Sequence, residues 1–229
     1  MAGSKDKLVI IGDGETAQLA YSYFTADTDY EVAGFSAEAK YMRSQRLFGL
    51  PVIPFEGVER TFNPETHWAF VAVSYTQLNR LRSRLYLTAK QKGYRLCTYI
   101  SPHAYVDKDA EIGENCFILE KAAIQRGAKI GDNVTMWTGS TVGHRSKIGS
   151  NCFIAIHVAI SGFCEVGENC FLGVNSCTAN NIKIGADCVL GAGAVVIGDT
   201  MQGGVYAGNP AKALPDKDTA VFVSGKEIL

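Results

Sequence analysis

Apolar residues recur every six positions through 104–199, with no insertion to break the count. The third place of each six runs Val106, Ile112, Ile118, Ile124, Ile130, Met136, Val142, Ile148, Ile154, Ile160, Val166, Leu172, Thr178, Ile184, Leu190 and Val196; only Thr178 is not apolar. The first place is mostly Ala, Cys, Ser or Val, and the fourth is often glycine, as at Gly113, Gly131, Gly143 and Gly149. A fixed short period marks a repeat architecture. Each six predicts a short extended segment with one large and one small residue facing inward. A turn follows, where Gly, Asn or Asp tolerates unusual backbone angles. Three segments close a triangular coil, and stacked coils pair edge to edge as parallel strands. A spacing of eighteen supports this: Cys152, Cys170 and Cys188 fall in one column, and Ile148, Val166 and Ile184 in another. A sandwich of short strands, with loops of varying length, would not keep this count.

The first hundred residues follow a different pattern. Leu8, Val9, Ile10 and Ile11 form a continuous apolar run that ends in Gly12, Asp13 and Gly14. Ala17, Leu19, Ala20, Tyr23 and Phe24 have helical spacing, and 30–36 reads as a second strand. Strands are further expected at 49–54, 68–74 and 95–100, a short helix and turn at 55–62, and a helix at 76–92. Strand, glycine turn, helix, strand opens a parallel α/β unit. The predicted fold class is therefore an α/β, Rossmann-like parallel sheet in 1–102, an all-β parallel β-helix in 103–214, and a tail in 215–229. A glycine turn lets backbone N–H groups approach a phosphate at the helix N-terminus. Gly12, Gly14 and Ala17 satisfy the glycine part of the dinucleotide fingerprint, but its acid after the second strand is missing. Ser36 stands there, with Glu38 the nearest acid, so NAD is not favoured.

The sixes, closed by Gly208-Asn209-Pro210-Ala211-Lys212, resemble those of the hexapeptide acyltransferases, where a G-x-P-A-K/R segment follows the last coil. That resemblance implies a left-handed β-helix. The two-part layout is similar to bacterial sugar acetyltransferases of the sialic acid O-acetyltransferase type, which include N-acetyltransferases acting on nucleotide-linked amino sugars. It implies acetyl-CoA as cosubstrate on the β-helix, a nucleotide-linked sugar held by the α/β part, and a homotrimer with sites between subunits.

Acetyl transfer to an amine needs a base, a donor for the oxyanion, and both substrates held end to end. His67 is expected at the surface and His103 at the junction. His144 and His157 fall in outward turns, thirteen residues apart and so at different corners. Val142-Gly143-His144 occupies the place of the catalytic His in the resembling family, which makes His144 the first candidate base and His157 the second. The better-known members carry an acid after this His; here it is Arg145, and a neighbouring cation opposes a second positive charge. Glu120 or Asp13 could stand in for the acid. Asn175, eighteen residues after His157, has two readings, a hydrogen-bond donor to the sugar or the acyl carbonyl and a structural turn residue, of which the second is favoured. The resemblance places acetyl-CoA contacts at Gly162 and Ala192, with Gly173, Gly191 and Gly193 nearby and Lys212 toward the nucleotide end. For the sugar nucleotide the candidates are Gly12, Asp13, Gly14, Ser36 and Ser74, at the carboxyl ends of the strands.

Composition narrows the classes. The chain has 229 residues, 47% of them hydrophobic, and a formal net charge of −1, which suits a globular protein and gives no basic footprint for nucleic acid. No apolar run reaches the ~20 residues of a membrane span. The N-terminus passes straight into a strand, without signal-peptide architecture. Cys116, Cys152, Cys164, Cys170 and Cys188 occupy the small first place, Cys177 the next place, and Cys97 precedes the repeat. They read as buried packing residues of a cytoplasmic protein, not disulfides or a zinc site. No metal is expected, since the carbonic-anhydrase type of β-helix needs three His and only two lie in the middle coils. Sugar O-acetylation and a non-catalytic scaffold remain the alternatives.

Overall fold

The computed structural model describes residues 6–215 and Thr219, so the expected tail at 215–229 lies outside the described residues except for Pro215 and Thr219. The chain divides into two compact units: Met1–Ser74 with Arg84–Thr98, and Tyr75–Ser83 with Tyr99–Leu229. The expected division at 102/103 falls four residues after the change at Thr98, because Tyr99–Ile100 already pairs with Phe117–Ile118 of the first coil.

In the first unit, β1 (Lys7–Ile11), β2 (Glu31–Ala37), β3 (Arg46–Leu47), β4 (Leu50–Pro54), β5 (His67–Val71) and β6 (Arg95–Leu96) form a sheet in the order β3-β4-β2-β1-β5-β6. All neighbours are parallel except β3 and β4. The continuous apolar run of β1 is explained by its central place, with Leu8, Val9, Ile10 and Ile11 all buried. Helix α1 (Glu15–Asp27) packs Phe24 on Phe70 and Tyr21 on Phe35.

Three expectations are corrected here. The strand expected at 68–74 ends at Val71. The helix expected from Thr76 begins at Arg80, as α2 (Arg80–Gln91), because Gln77, Leu78 and Asn79 take left-handed φ of 48–65°. His67 is not at the surface: it is buried in β5, with Nδ1 2.9 Å from Thr66 Oγ1 and 3.2 Å from the Asn63 carbonyl.

The second unit is a three-faced parallel β-helix. Its first face contains Phe117–Ile118, Thr135–Met136, Phe153–Ile154, Phe171–Leu172 and Val189–Leu190. The second contains Ala123–Ile124, Thr141–Val142, Ala159–Ile160, Cys177–Thr178 and Val195–Val196. The third contains Glu111–Ile112, Lys129–Ile130, Lys147–Ile148, Glu165–Val166 and Lys183–Ile184. Every pairing among these strands joins residues eighteen apart, as at Lys147↔Glu165 and Ile148↔Val166. The third-place residues stack inside as one core. Burying an Ile or Leu side chain contributes about 1.5–3 kcal/mol, so the interior column drives the winding. The first place is small because its side chain turns inward at the corner and bonds the next coil. Cys152 Sγ donates to the Gly167 carbonyl at 3.1 Å, and Ser146 Oγ to the Ser161 carbonyl at 2.7 Å.

The turn chemistry differs from the expectation. Every sixth place through 115–193 takes a left-handed φ, between 51° and 72°. The fourth-place glycines are required for clearance instead: a Cβ on Gly143 would stand 2.5 Å from the Ser161 carbonyl carbon. At the corner after the third face the sixth places form an Asn ladder, in which Asn115 Nδ2 donates to Asn133 Oδ1 and Asn133 Nδ2 to Asn151 Oδ1, both at 2.8 Å.

Tyr75–Ser83 lies on the outside of the first face. The Tyr75 ring meets Phe153 and Phe171 edge-on at 5.0 and 4.9 Å. Arg82 is fully buried, and its Nη2 donates to the carbonyls of Asn133, Asn151 and Cys152 at 3.0–3.2 Å. Its pKa is lowered to about 10 by burial, still far above neutral pH, so it remains a guanidinium. Replacing it removes a donor from all three carbonyls, of which only Cys152 keeps a backbone partner, the Thr135 N–H, among the described residues. Arg82→Leu is expected to destabilise the fold by about 3 kcal/mol, read as a lower urea midpoint by far-UV circular dichroism.

All seven cysteines are free thiols, and all but Cys177 are buried. Burial pushes Cys97 and Cys188 up, and Cys116 up to about 12. A thiol with a raised folded pKa binds its proton more tightly in the native state than in the unfolded chain, where it titrates near ~8.5. Its contribution is therefore complete below about pH 8.5 and is lost as pH rises toward 12. Urea midpoints should fall steadily from about pH 9 upward. At neutral pH a maleimide should label Cys177 alone until the chain unfolds.

Candidate functional site

His144 stands in the fifth place at the corner after the second face, fully in reach of solvent. Its backbone N–H donates to Gln125 Oε1 at 3.0 Å, one coil earlier. Its imidazole lies over Gly162, one coil later: a Cβ on Gly162 would stand 2.5 Å from His144 Cε1. The ring meets the Phe163 ring edge-on, with centroids 4.9 Å apart and planes at 83°. Among the described residues no acid lies within hydrogen-bond reach of the imidazole.

Gly162 is itself tied down. Its N–H donates to Asn180 Oδ1 at 2.9 Å, and its carbonyl accepts the Asn181 N–H at 3.0 Å. Beside it, the Ser161 N–H goes to Thr178 Oγ1 at 3.1 Å, so the side chain of Thr178 takes the bond a ladder carbonyl would otherwise accept. The pairing there retains Ala159↔Cys177 only. Thr178, the single break in the apolar third place, thus lies directly below the coil that seats His144.

His157 takes the sixth place at the corner after the first face, with φ 58°. Its ring lies over Gly139, whose Cβ would stand 3.0 Å from His157 Cε1. The two histidines occupy different corners, as their spacing predicts. Asn175 sits one coil below His157 and donates its N–H to the Ile156 carbonyl at 3.0 Å. Glu120 belongs to the His157 corner, where it accepts from Thr138 Oγ1 at 2.8 Å. Asp13 lies in the first unit, where its Oδ2 accepts the Arg43 N–H at 2.7 Å.

The remaining candidates separate by what their backbone can offer. Gly173 is buried, with its N–H on the Leu190 carbonyl and its carbonyl on the Ser176 N–H. Ala192 is exposed, and its N–H has no partner among the described residues. The same holds for the exposed Ile156 and Val174 of that corner, which leaves a column of free amide donors one coil apart beside small and branched apolar side chains. Lys212 is exposed in a strand antiparallel to Val205–Ala207. In the first unit Gly12 donates to the Ser36 carbonyl at 2.7 Å, and a Cβ there would stand 2.5 Å from the Ala72 carbonyl oxygen. Gly14 caps α1, with the Arg43 guanidinium 3.7 Å from where its Cβ would be. Ser36 is fully buried, and Ser74 follows β5 three residues after its end. Gln125, Phe163, Asn180 and Arg43 were not singled out from sequence; Thr178, as the exception to the pattern, was the one available signal for the first three.

Among the described residues no cluster of three or more His, Cys, Asp or Glu could hold a metal ion, and no helix is long and apolar enough to cross a membrane.

Comparison with known proteins assigns the class. A model of the bacterial transferase hexapeptide (six repeats) matches residues 109–144, and one of the hexapeptide repeat of succinyl-transferase matches 165–197. PerB from Caulobacter crescentus, solved in complex with CoA and GDP-perosamine, matches with a TM-score of 0.81 and 31% identity, over 91% of this chain and 97% of that chain. The acetyltransferase domain of PglB from Neisseria gonorrhoeae, in complex with acetyl coenzyme A, matches with a TM-score of 0.82 and 29% identity, over 92% of this chain and 100% of that chain. WeeI from Acinetobacter baumannii shares the fold at 17% identity and a TM-score of 0.68, over 90% of this chain and 99% of that chain. No curated protein sequence matches. The chain belongs to the hexapeptide-repeat acetyltransferases, the family of PerB and the PglB domain, and its β-helix is accordingly left-handed.

A Gly162→Ala exchange tests the seat of His144. The added methyl occupies the space of the imidazole, so the ring must swing away while the coil beneath keeps its ladder. The expected outcome is a turnover number reduced by about tenfold or more with a melting temperature within a few degrees of the parent.

Proposed function

We propose that the chain is an acetyl-CoA-dependent N-acetyltransferase acting on the amino group of a nucleotide-linked amino sugar, with His144 as general base. The observation that carries this reading is the corner at His144: a solvent-facing imidazole fixed by Gly162 and Phe163, in a chain 31% identical to a protein solved with CoA and GDP-perosamine. The amine nitrogen attacks the thioester carbonyl carbon while His144 takes the N–H proton. The tetrahedral oxyanion collapses to the amide, the C–S bond breaks, and the proton passes from His144 to the departing thiolate. The free amides of Ile156, Val174 and Ala192 suit the polar amide groups of an acyl-CoA arm, and their side chains suit its methylenes. Gly162 and Gly173 contribute clearance, since their backbone groups are already bonded. Lys212 is assigned to the phosphates of the cofactor.

Gly12, Asp13, Gly14, Ser36 and Ser74 are assigned to the nucleotide. The glycine turn before α1 supports this, because it presents a helix N-terminus at the carboxyl end of β1. The two histidine corners of one chain are apart, and an exposed corner needs a second surface to enclose a flexible thioester. A homotrimer with sites between copies meets that need. Free thiols support a cytoplasmic setting, and an acetylated nucleotide sugar suits polysaccharide biosynthesis.

The test is acetyl-CoA consumption, followed by thiol release, with a panel of nucleotide-linked amino sugars and their hydroxyl counterparts. Parent enzyme is expected to acetylate an amine. His144→Ala should lose about 10²–10⁴-fold in turnover, while His157→Asn should retain more activity than His144→Ala. Acetylation of hydroxyl acceptors only, or undiminished turnover in His144→Ala, contradicts the reading.

A further inference from the structure

The sixth place of each six through 115–193 adopts a left-handed backbone, which costs a side chain with a Cβ roughly 1–2 kcal/mol. Asn, Asp and Gly bear this cost most easily, and they fill ten of the fourteen such places through 115–193. The exceptions are Lys121, Arg145, His157 and Phe163. Two of them, Arg145 and Phe163, are consecutive in one column, at the corner that holds His144. Backbone strain kept without local need is a mark of function.

The two exceptions hold each other. The Arg145 guanidinium carbon lies 5.8 Å from the centroid of the Phe163 ring, and the stem passes over Gly127, whose absent Cβ would stand 3.4 Å from Arg145 Cγ. The same Phe163 ring takes the edge contact with His144. Four other cations of the coils are paired with acids: Arg126 with Asp109, Lys129 with Glu111, and Lys147 and Lys183 with Glu165. Arg145 is exposed and has no acid partner among the described residues. A rigid, weakly hydrated guanidinium without a counter-ion, next to an imidazole, suits an anionic oxygen.

We propose that Arg145, braced on Phe163, binds an anionic oxygen of the substrate acted on at His144, a phosphate or carboxylate oxygen, and so selects for negatively charged substrates. This rests on His144 being the transfer site. In this chain the residue after the His therefore recognises substrate charge and does not tune the base. The anion can belong to the acceptor or to the acyl donor.

The experiment compares parent, Arg145→Asn and Arg145→Lys by steady-state kinetics, varying acceptor and acetyl-CoA separately, with thermal unfolding in parallel. Asn suits the left-handed backbone, so Arg145→Asn should melt at or above the parent temperature. Its KM for one substrate should rise about tenfold or more, with Arg145→Lys in between. A rise confined to the acceptor assigns the anion there. A rise confined to acetyl-CoA, absent when dephospho-CoA thioester is the donor, assigns it to the cofactor's 3′-phosphate. Unchanged KM for both substrates overturns the inference, and so does a loss of activity that tracks a lowered melting temperature. An inactive parent enzyme refutes the proposed function instead, which keeps the two failures apart.

Discussion

The stacking of each coil on the next, eighteen residues on, is the constraint from which the second unit follows. It fixes where every side chain can go. Third-place residues must be apolar because they face only one another. Fourth-place residues must often be glycine because the next backbone passes within contact distance. Sixth-place residues must tolerate a left-handed φ because the chain has to turn by a third of a circuit within a few residues. A residue at a corner is held by the residues eighteen before and eighteen after it, so a reactive side chain placed there inherits the rigidity of the whole stack.

That inheritance explains the His144 corner. Nothing in the chain's own coil orients the imidazole. Gln125 above holds its backbone, Gly162 below leaves room for the ring, and Phe163 sets the ring's edge. Asn180 and Thr178, one coil further down, hold Gly162 and Ser161 in turn. The support is a vertical column, which replaces the adjacent acid expected of this family. Arg145 stands in that acid's position, and its charge makes the corner a place for anions.

The winding was legible from the sequence because a period of six, kept without insertion, admits few other structures. The corner locations of His144 and His157 followed from the same count. What was not legible follows from contacts across coils. The pattern marks fourth-place glycine as frequent, but not that it answers to the backbone of the next coil while the left-handed turn sits two places on. The segment from Thr76 reads as the start of a helix; that Arg82 and the preceding Tyr75 serve the β-helix depends on carbonyls and rings far away in sequence. His67 looked superficial because it precedes an apolar strand, yet its bonds to Thr66 and Asn63 let it be buried. Thr178 was visible as an exception without its consequence, since a lone hydroxyl in a core column says nothing about which amide it will take.

The proposed transfer brings together two surfaces, the His144 corner of one copy and the amide column of Ile156, Val174 and Ala192 of another. The most direct measurement is a crystal structure of the protein with CoA and an accepted nucleotide-linked amino sugar. The acceptor nitrogen is expected within hydrogen-bond distance of the His144 imidazole of one copy, with CoA along the column of Ile156, Val174 and Ala192 of a neighbouring copy. Acceptor density at His157, with His144 facing only solvent, would contradict it.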